Sequence, residues 1–163
     1  MSRYLVQNSP ERIEELREFL WEAHAKAVGT NKPNYSSPEG THRTVYIRDG
    51  WKLEDEWYGT VPFSGFAKIS YYGDVCWTMH YWGSFEIGLD QDRTYQMLME
   101  LLSNPNQDEP WRGQPGNTNF EDGGHYYNNS RGDITSFNGC EFMHNAKNII
   151  VYHSEYRGGL VKY

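Results

Sequence analysis

Cysteine is scarce in this chain: Cys76 and Cys140 are the two thiols in 163 residues. They allow one disulfide at most. With no apolar segment following a basic start, the expectation is two buried free thiols in a cytoplasmic protein. Long apolar runs are also missing, and no stretch reaches the roughly 18 residues of a membrane span, so no membrane partner is expected. Positive charge is the third deficit. Fifteen Lys and Arg stand against 22 Asp and Glu, a formal net charge of −7, and the cations are scattered instead of striped. Phosphate backbones need neutralising cations, so no nucleic-acid partner is expected.

Aliphatic side chains are few, and mean hydropathy is −0.83. Aromatics fill the gap at 16% of the residues. A core built from Trp, Tyr and Phe suits a pleated surface better than a helical bundle. The length fits a single domain, residues 1–163.

Two stretches repeat one another. Tyr58-Gly59, Phe63-Ser64-Gly65 and Trp77-Thr78-Met79-His80-Tyr81-Trp82-Gly83 are echoed by Arg131-Gly132, Phe137-Asn138-Gly139 and Tyr152-His153-Ser154-Glu155-Tyr156-Arg157-Gly158. This internal duplication divides the chain into halves at about 10–88 and 89–163. It predicts a pseudo-two-fold axis with a cleft between the halves.

Within the first half, Ser9-Pro10-Glu11 reads as a helix start, and apolar residues at helical spacing carry the helix to Val28 before Gly29. A Pro- and Gly-rich loop follows to His42. Strands are expected at Arg43 to Arg48, Trp51 to Tyr58, Phe63 to Tyr72 and Val75 to Trp82, with hairpin turns at Asp49-Gly50 and Gly73-Asp74. Asp90 caps a second helix running to Leu102. A second loop, Asn104 to Gly123, precedes strands at about His125 to Arg131, Phe137 to Met143 and Asn148 to Tyr156. The order α-ββββ-α-βββ predicts an α+β fold: duplicated units forming a curved, mainly antiparallel sheet with two packed helices. Open sheet and closed barrel both fit the pattern.

No cofactor is expected, because the glycines form no phosphate cradle and no nucleophile elbow is present. Aligning the halves sets Gly65 on Gly139, Tyr81 on Tyr156, Ala67 on Glu141, Thr78 on His153 and His80 on Glu155. An aromatic cleft is expected from Trp57, Tyr58, Trp77, Tyr81, Tyr152 and Tyr156, with Glu141 recognising a polar ligand group or serving the core. His80, His153 and Glu155 form an alternative set: two imidazoles and a carboxylate suit zinc or iron, if the strands bring them together. His42, with Asp55 and Glu56, is a second acid/base candidate.

The runs Ser36-Ser37-Pro38-Glu39-Gly40-Thr41-His42, Asp55-Glu56-Trp57-Tyr58-Gly59 and Val75 to Gly83, continued by Arg112-Gly113, Phe137-Asn138-Gly139-Cys140-Glu141 and Tyr156 to Leu160, resemble the uncharacterised bacterial and archaeal domain family DUF5680. Some members of that family carry an N-terminal helix-turn-helix. The resemblance implies a sensing or partner-binding module and not an enzyme. Ala67 departs from the family's tendency toward a carboxylate there, and no helix-turn-helix is expected ahead of this domain. The combined expectation is a small binding module for an organic ligand or protein partner, with a homodimer as a further option. A metal-dependent or acid/base hydrolase is the alternative.

Overall fold

The Ser9 side chain accepts a hydrogen bond from the Arg12 N–H at 3.3 Å and opens helix α1, Pro10–Lys26. Asp90 does the same for the Arg93 N–H at 3.1 Å, opening α2, Gln91–Ser103. Both caps satisfy donors that the first helical turn cannot. The fold is seen in a computed structural model describing residues 9–30, 35–59, 61–86 and 90–161. Helix α1 ends two residues before the expected Val28, which instead starts a short 3₁₀ turn, Val28–Thr30.

The strands are β1 Tyr35–Ser36, β2 Thr41–Arg48, β3 Trp51–Gly59, β4 Phe63–Tyr71, β5 Asp74–Phe85, β6 Gly116–Asn119, β7 His125–Asp133, β8 Ser136–His144 and β9 Ile150–Leu160. They form one antiparallel sheet in the order β1-β2-β3-β4-β5-β9-β8-β7-β6. The sheet is open, with β1 and β6 at its edges, so the barrel alternative does not hold. Three further expectations need correction. The first half has five strands, not four, because β1 forms at Tyr35–Ser36 inside the stretch expected to be loop up to His42. The second half has four strands, not three, because β6 forms inside the stretch expected to be loop. Strand β9 also runs four residues past Tyr156, since Trp77 to Phe85 of β5 provides a full partner up to Leu160.

The duplication is real in three dimensions. Strands β5 and β9 are neighbours, and Tyr81 stands directly opposite Tyr156. Moving outward, Gly65 pairs with Tyr81 as Gly139 pairs with Tyr156, and Asp55 pairs with Ala67 as Asn128 pairs with Glu141. The pseudo-axis passes between the two tyrosines and relates β2-β3-β4-β5 to β6-β7-β8-β9.

Both helices press on one face of the sheet. Leu16, Phe19, Leu20 and Ala23 of α1 and Met97, Leu98, Leu101 and Leu102 of α2 are buried there with Leu53, Ile69, Trp77, Phe137, Met143 and Tyr152. At about 25 cal/mol per Å² of apolar surface, these aromatic-rich contacts dominate the stability of the fold. The alternate strand residues form an open polar face, where Glu54 draws together Arg43, Lys52 and Lys68. Both thiols are free, Cys76 buried and Cys140 half-buried. No helix among the described residues is long and apolar enough to cross a membrane.

Candidate functional site

At the axis the packing depends on two missing side chains. A Cβ on Gly65 would lie 2.0 Å from the Tyr81 ring, and one on Gly139 would lie 2.2 Å from the Tyr156 hydroxyl. Each tyrosine therefore lies flat over a glycine and reaches one strand further out. The Tyr81 hydroxyl donates to Asp55 Oδ1 at 2.7 Å, and the Tyr156 hydroxyl donates to Asn128 Oδ1 at 2.7 Å. Register makes Asp55 and Asn128 counterparts. The two halves share the device but differ in the charge at its end.

Beside the axis, the loop after α2 inserts Arg112. Its guanidinium forks onto both oxygens of Glu141, with Nη2 at 3.2 Å from Oε2, and donates to the Tyr152 hydroxyl at 3.0 Å. Arg112 and Glu141 are 5% and 0% exposed at the side chain. Such a pair holds only with bidentate geometry and satisfied hydrogen bonds. Burial alone would lower the Arg112 pKa, but the Glu141 carboxylate outweighs it and holds the value well above normal. Ala67, the counterpart of Glu141, brings no second carboxylate, so one arginine suffices.

Between α2 and the first half of the sheet lies a cavity of about 380 Å³. Trp57, Phe63 and Phe85 form its wall on the sheet side, and Leu98, Met99 and Leu102 its wall on α2; Asp55, Tyr81 and Arg112 supply the polar floor. Ser36, His42 and Asp92 also line it. His42 Nδ1 sits 2.9 Å from Ser36 Oγ, and its ring stacks on Trp57 at 5.3 Å between centroids. An apolar chamber of this size with a few convergent polar groups is the usual form of a small-molecule site.

Asp55 is the most perturbed acid in that chamber. Burial raises its pKa from the usual 3.8 to about 6, against the opposing pull of the Tyr81 hydroxyl and of Arg112. Burial, and then the Asp55 carboxylate, push Tyr81 well above its ordinary value. Among the described residues Tyr81 is the one hydrogen-bond donor to Asp55. Behind Arg112, His24 of α1 is held neutral, its pKa lowered to about 3 by burial and next by that arginine.

Of the residues expected from sequence to form a cleft, Trp57 and Tyr81 line this cavity. Tyr152 stands behind its wall, stacked on Phe63 at 6.1 Å. Glu141 serves the buried ion pair, and Tyr156 the second half. Trp77 is core, its indole N–H donating to the Ile134 carbonyl at 3.1 Å. Tyr58 is 48% exposed on the opposite face, bonded to Glu56. The chamber lies beneath α2 in the first half; the pseudo-axis itself is filled by the tyrosines and Arg112.

His80, His153 and Glu155 are on the open face. Register sets His80 opposite Arg157 and His153 opposite Ser84, with Trp82 and Glu155 between. Four residues along a strand are on the order of 13 Å, so the two imidazoles do not share a ligand sphere. Among the described residues no group of three or more His, Cys, Asp or Glu is gathered as metal ligands would be. His42 and Asp55, by contrast, line the same chamber.

Sequence reasoning missed Arg112 as a site residue, because it stands in an irregular loop with no periodicity. Phe63 stood in the aligned repeat opposite Phe137 without being singled out, and Asn128 could have been found by extending the alignment of the halves outward by one strand.

These features define an internally duplicated α+β protein with a chamber in one of its halves. The chain belongs to the family described as "Domain of unknown function (DUF5680)", whose model matches residues 55–161. No curated protein and no solved structure matches it.

Proposed function

We propose that this protein is a binding module that takes a small organic ligand into the chamber between α2 and strands β2 to β5. The observation that carries the reading is the chamber's composition: an apolar, aromatic wall around one buried carboxylate, Asp55, that makes no salt bridge among the described residues. A buried carboxylate without a partner is costly, and a bound ligand group relieves that cost. A polar molecule would leave the apolar wall uncovered, and a purely apolar one would leave Asp55 with the Tyr81 hydroxyl as its one donor among the described residues. The ligand class is therefore amphiphilic, with an apolar body and a hydrogen-bond donor.

A thermal-shift screen of a metabolite library tests this. A ligand at a hundred times its Kd stabilises the protein by about 2.7 kcal/mol, roughly 5–10 °C for a chain of this length. Leu98→Trp, which fills the chamber, is expected to remove that shift. A library in which nothing raises the melting temperature, or whose hits stabilise the filled variant equally, contradicts the proposal.

A second reading rests on Asp55 and His42 lining one chamber. A buried carboxyl with its pKa raised to about 6, in one chamber with an imidazole, suits acid/base chemistry on the bound molecule. Product formation from a screening hit, lost in Asp55→Asn, supports it; hits recovered unchanged after prolonged incubation contradict it.

A further inference from the structure

The second half of the sheet carries a filled version of the same chamber. Trp77, Phe137 and Trp111 form a column of three near-parallel rings there, with centroids 5.6 and 4.5 Å apart and planes within 22° and 19°. The two-fold carries Trp77 onto Tyr152 and Phe137 onto Phe63. Those two rings are again stacked, 6.1 Å apart with planes at 9°. The tilted contacts match as well: Phe137 to Tyr156 is 6.2 Å at 44°, and Phe63 to Tyr81 is 6.4 Å at 53°. The third ring has no parallel counterpart among the described residues: Phe85 meets Phe63 at 5.7 Å but is tilted by 46°. Among the described residues no second ring stacks parallel on Phe63, which lines the chamber instead.

The polar end of the column repeats the pattern with one difference. Two residues beyond Trp111, the Gly113 carbonyl accepts a hydrogen bond from Asn128 Nδ2 at 2.9 Å. The loop thus delivers an indole to Phe137 and an acceptor to Asn128 together. In the first half the place of Asn128 is taken by Asp55, which when ionised can only accept. Whatever occupies the place of Trp111 over Phe63 must therefore bring a donor to Asp55, not an acceptor. Charge selects the donor further. Arg112 is neutralised by Glu141, whereas Asp55 makes no salt bridge among the described residues, leaving one negative charge at the chamber floor.

We infer that the chamber binds an arylalkylamine: a flat ring of phenyl to indole size stacked on Phe63 as Trp111 is on Phe137, with a cationic amine on a short linker meeting Asp55. This deepens the proposed function and rests on the chamber being a ligand site.

Isothermal titration with tryptamine, 3-methylindole, indole-3-propionate and hexylamine tests it. Tryptamine is expected to bind one to one and at least about tenfold more tightly than each of the other three, because it alone satisfies both ends. Asp55→Asn is expected to weaken tryptamine by about tenfold and to leave 3-methylindole within about twofold. Leu98→Trp is expected to abolish tryptamine binding. If its circular dichroism shows that it has not folded, Met99→Trp from the same wall takes its place. Equal binding of hexylamine or of the acid, or tryptamine binding unmoved by Asp55→Asn or by both filling variants, overturns the inference. A different library compound that binds wild type and is excluded by the filling variant overturns the amine assignment while keeping the chamber as a ligand site. No compound of any class displaced by filling the chamber sinks both.

Discussion

Tyr81 and Tyr156 face each other across the centre of the sheet, and their hydroxyls end on unlike groups, a carboxylate at Asp55 and an amide at Asn128, each at 2.7 Å. The scaffold is symmetric to the level of ring stacking and glycine placement. Its chemistry is not. The amide half is closed by its own loop, through Gly113 and Trp111, while the carboxylate half keeps an open chamber.

Gly65→Ala is expected to destabilise the protein by about 1–3 kcal/mol, because the new Cβ meets a ring that is buried and tethered by its hydroxyl. Urea denaturation monitored by circular dichroism measures this. An unchanged midpoint would show that Tyr81 moves freely off the glycine.

Asp55 sets a pH dependence whose sign is unusual for a carboxylate. Its folded pKa of about 6 lies above the 3.8 of the unfolded chain, so between those values the folded state holds the extra proton. Stability falls as pH rises across that window, by on the order of 3 kcal/mol when complete. Asp55→Asn keeps an acceptor for Tyr81 and removes the titration. The variant is expected to be more stable than wild type at pH 7 and to show a flatter profile between pH 4 and 6; superimposed profiles would contradict this.

Arg112→Met leaves Glu141 buried and unpaired, an expected loss of about 3–5 kcal/mol. Adding Glu141→Gln to that variant removes the stranded charge and is expected to recover most of the loss. A double variant as unstable as the single one would show that the arginine acts through packing and not through its carboxylate partner.

Trp111→Ala empties the second slot at an expected cost of about 3–5 kcal/mol. Added indole is expected to raise the melting temperature of the variant more than that of wild type, and to bind with one additional equivalent. Equal stoichiometry in both proteins would show that the column over Phe137 does not rebuild around a free ring.

Much of the architecture was legible in the sequence. The caps at Ser9 and Asp90, the turn at Asp49-Gly50 and the alternation along β3 to β5 and β7 to β9 are local signals, and the glycine and aromatic repeats disclosed the two-fold. Strand β6 was hidden because Gly116 to Asn119 has turn-like composition and becomes a strand only by pairing with β7. The site was less legible. Phe63 and Asp55 line one chamber from neighbouring strands, four residues apart in register, and Arg112 and Trp111 reach the interior from an irregular loop. The aromatics that stood out, Trp77 and Tyr156, are core, since large buried rings look alike in sequence whether they fill a layer or wall a chamber.

The inferred slot for an aromatic amine is framed by Phe63 and Asp55. Titrating tryptamine into ¹⁵N-labelled protein and following backbone amide shifts by NMR tests it most directly. Saturable shifts are expected to cluster at Asp55, Trp57, Phe63 and Leu98, with His80 and Arg157 on the open face unmoved. Shifts confined to the open face, or none at saturating tryptamine, would contradict it.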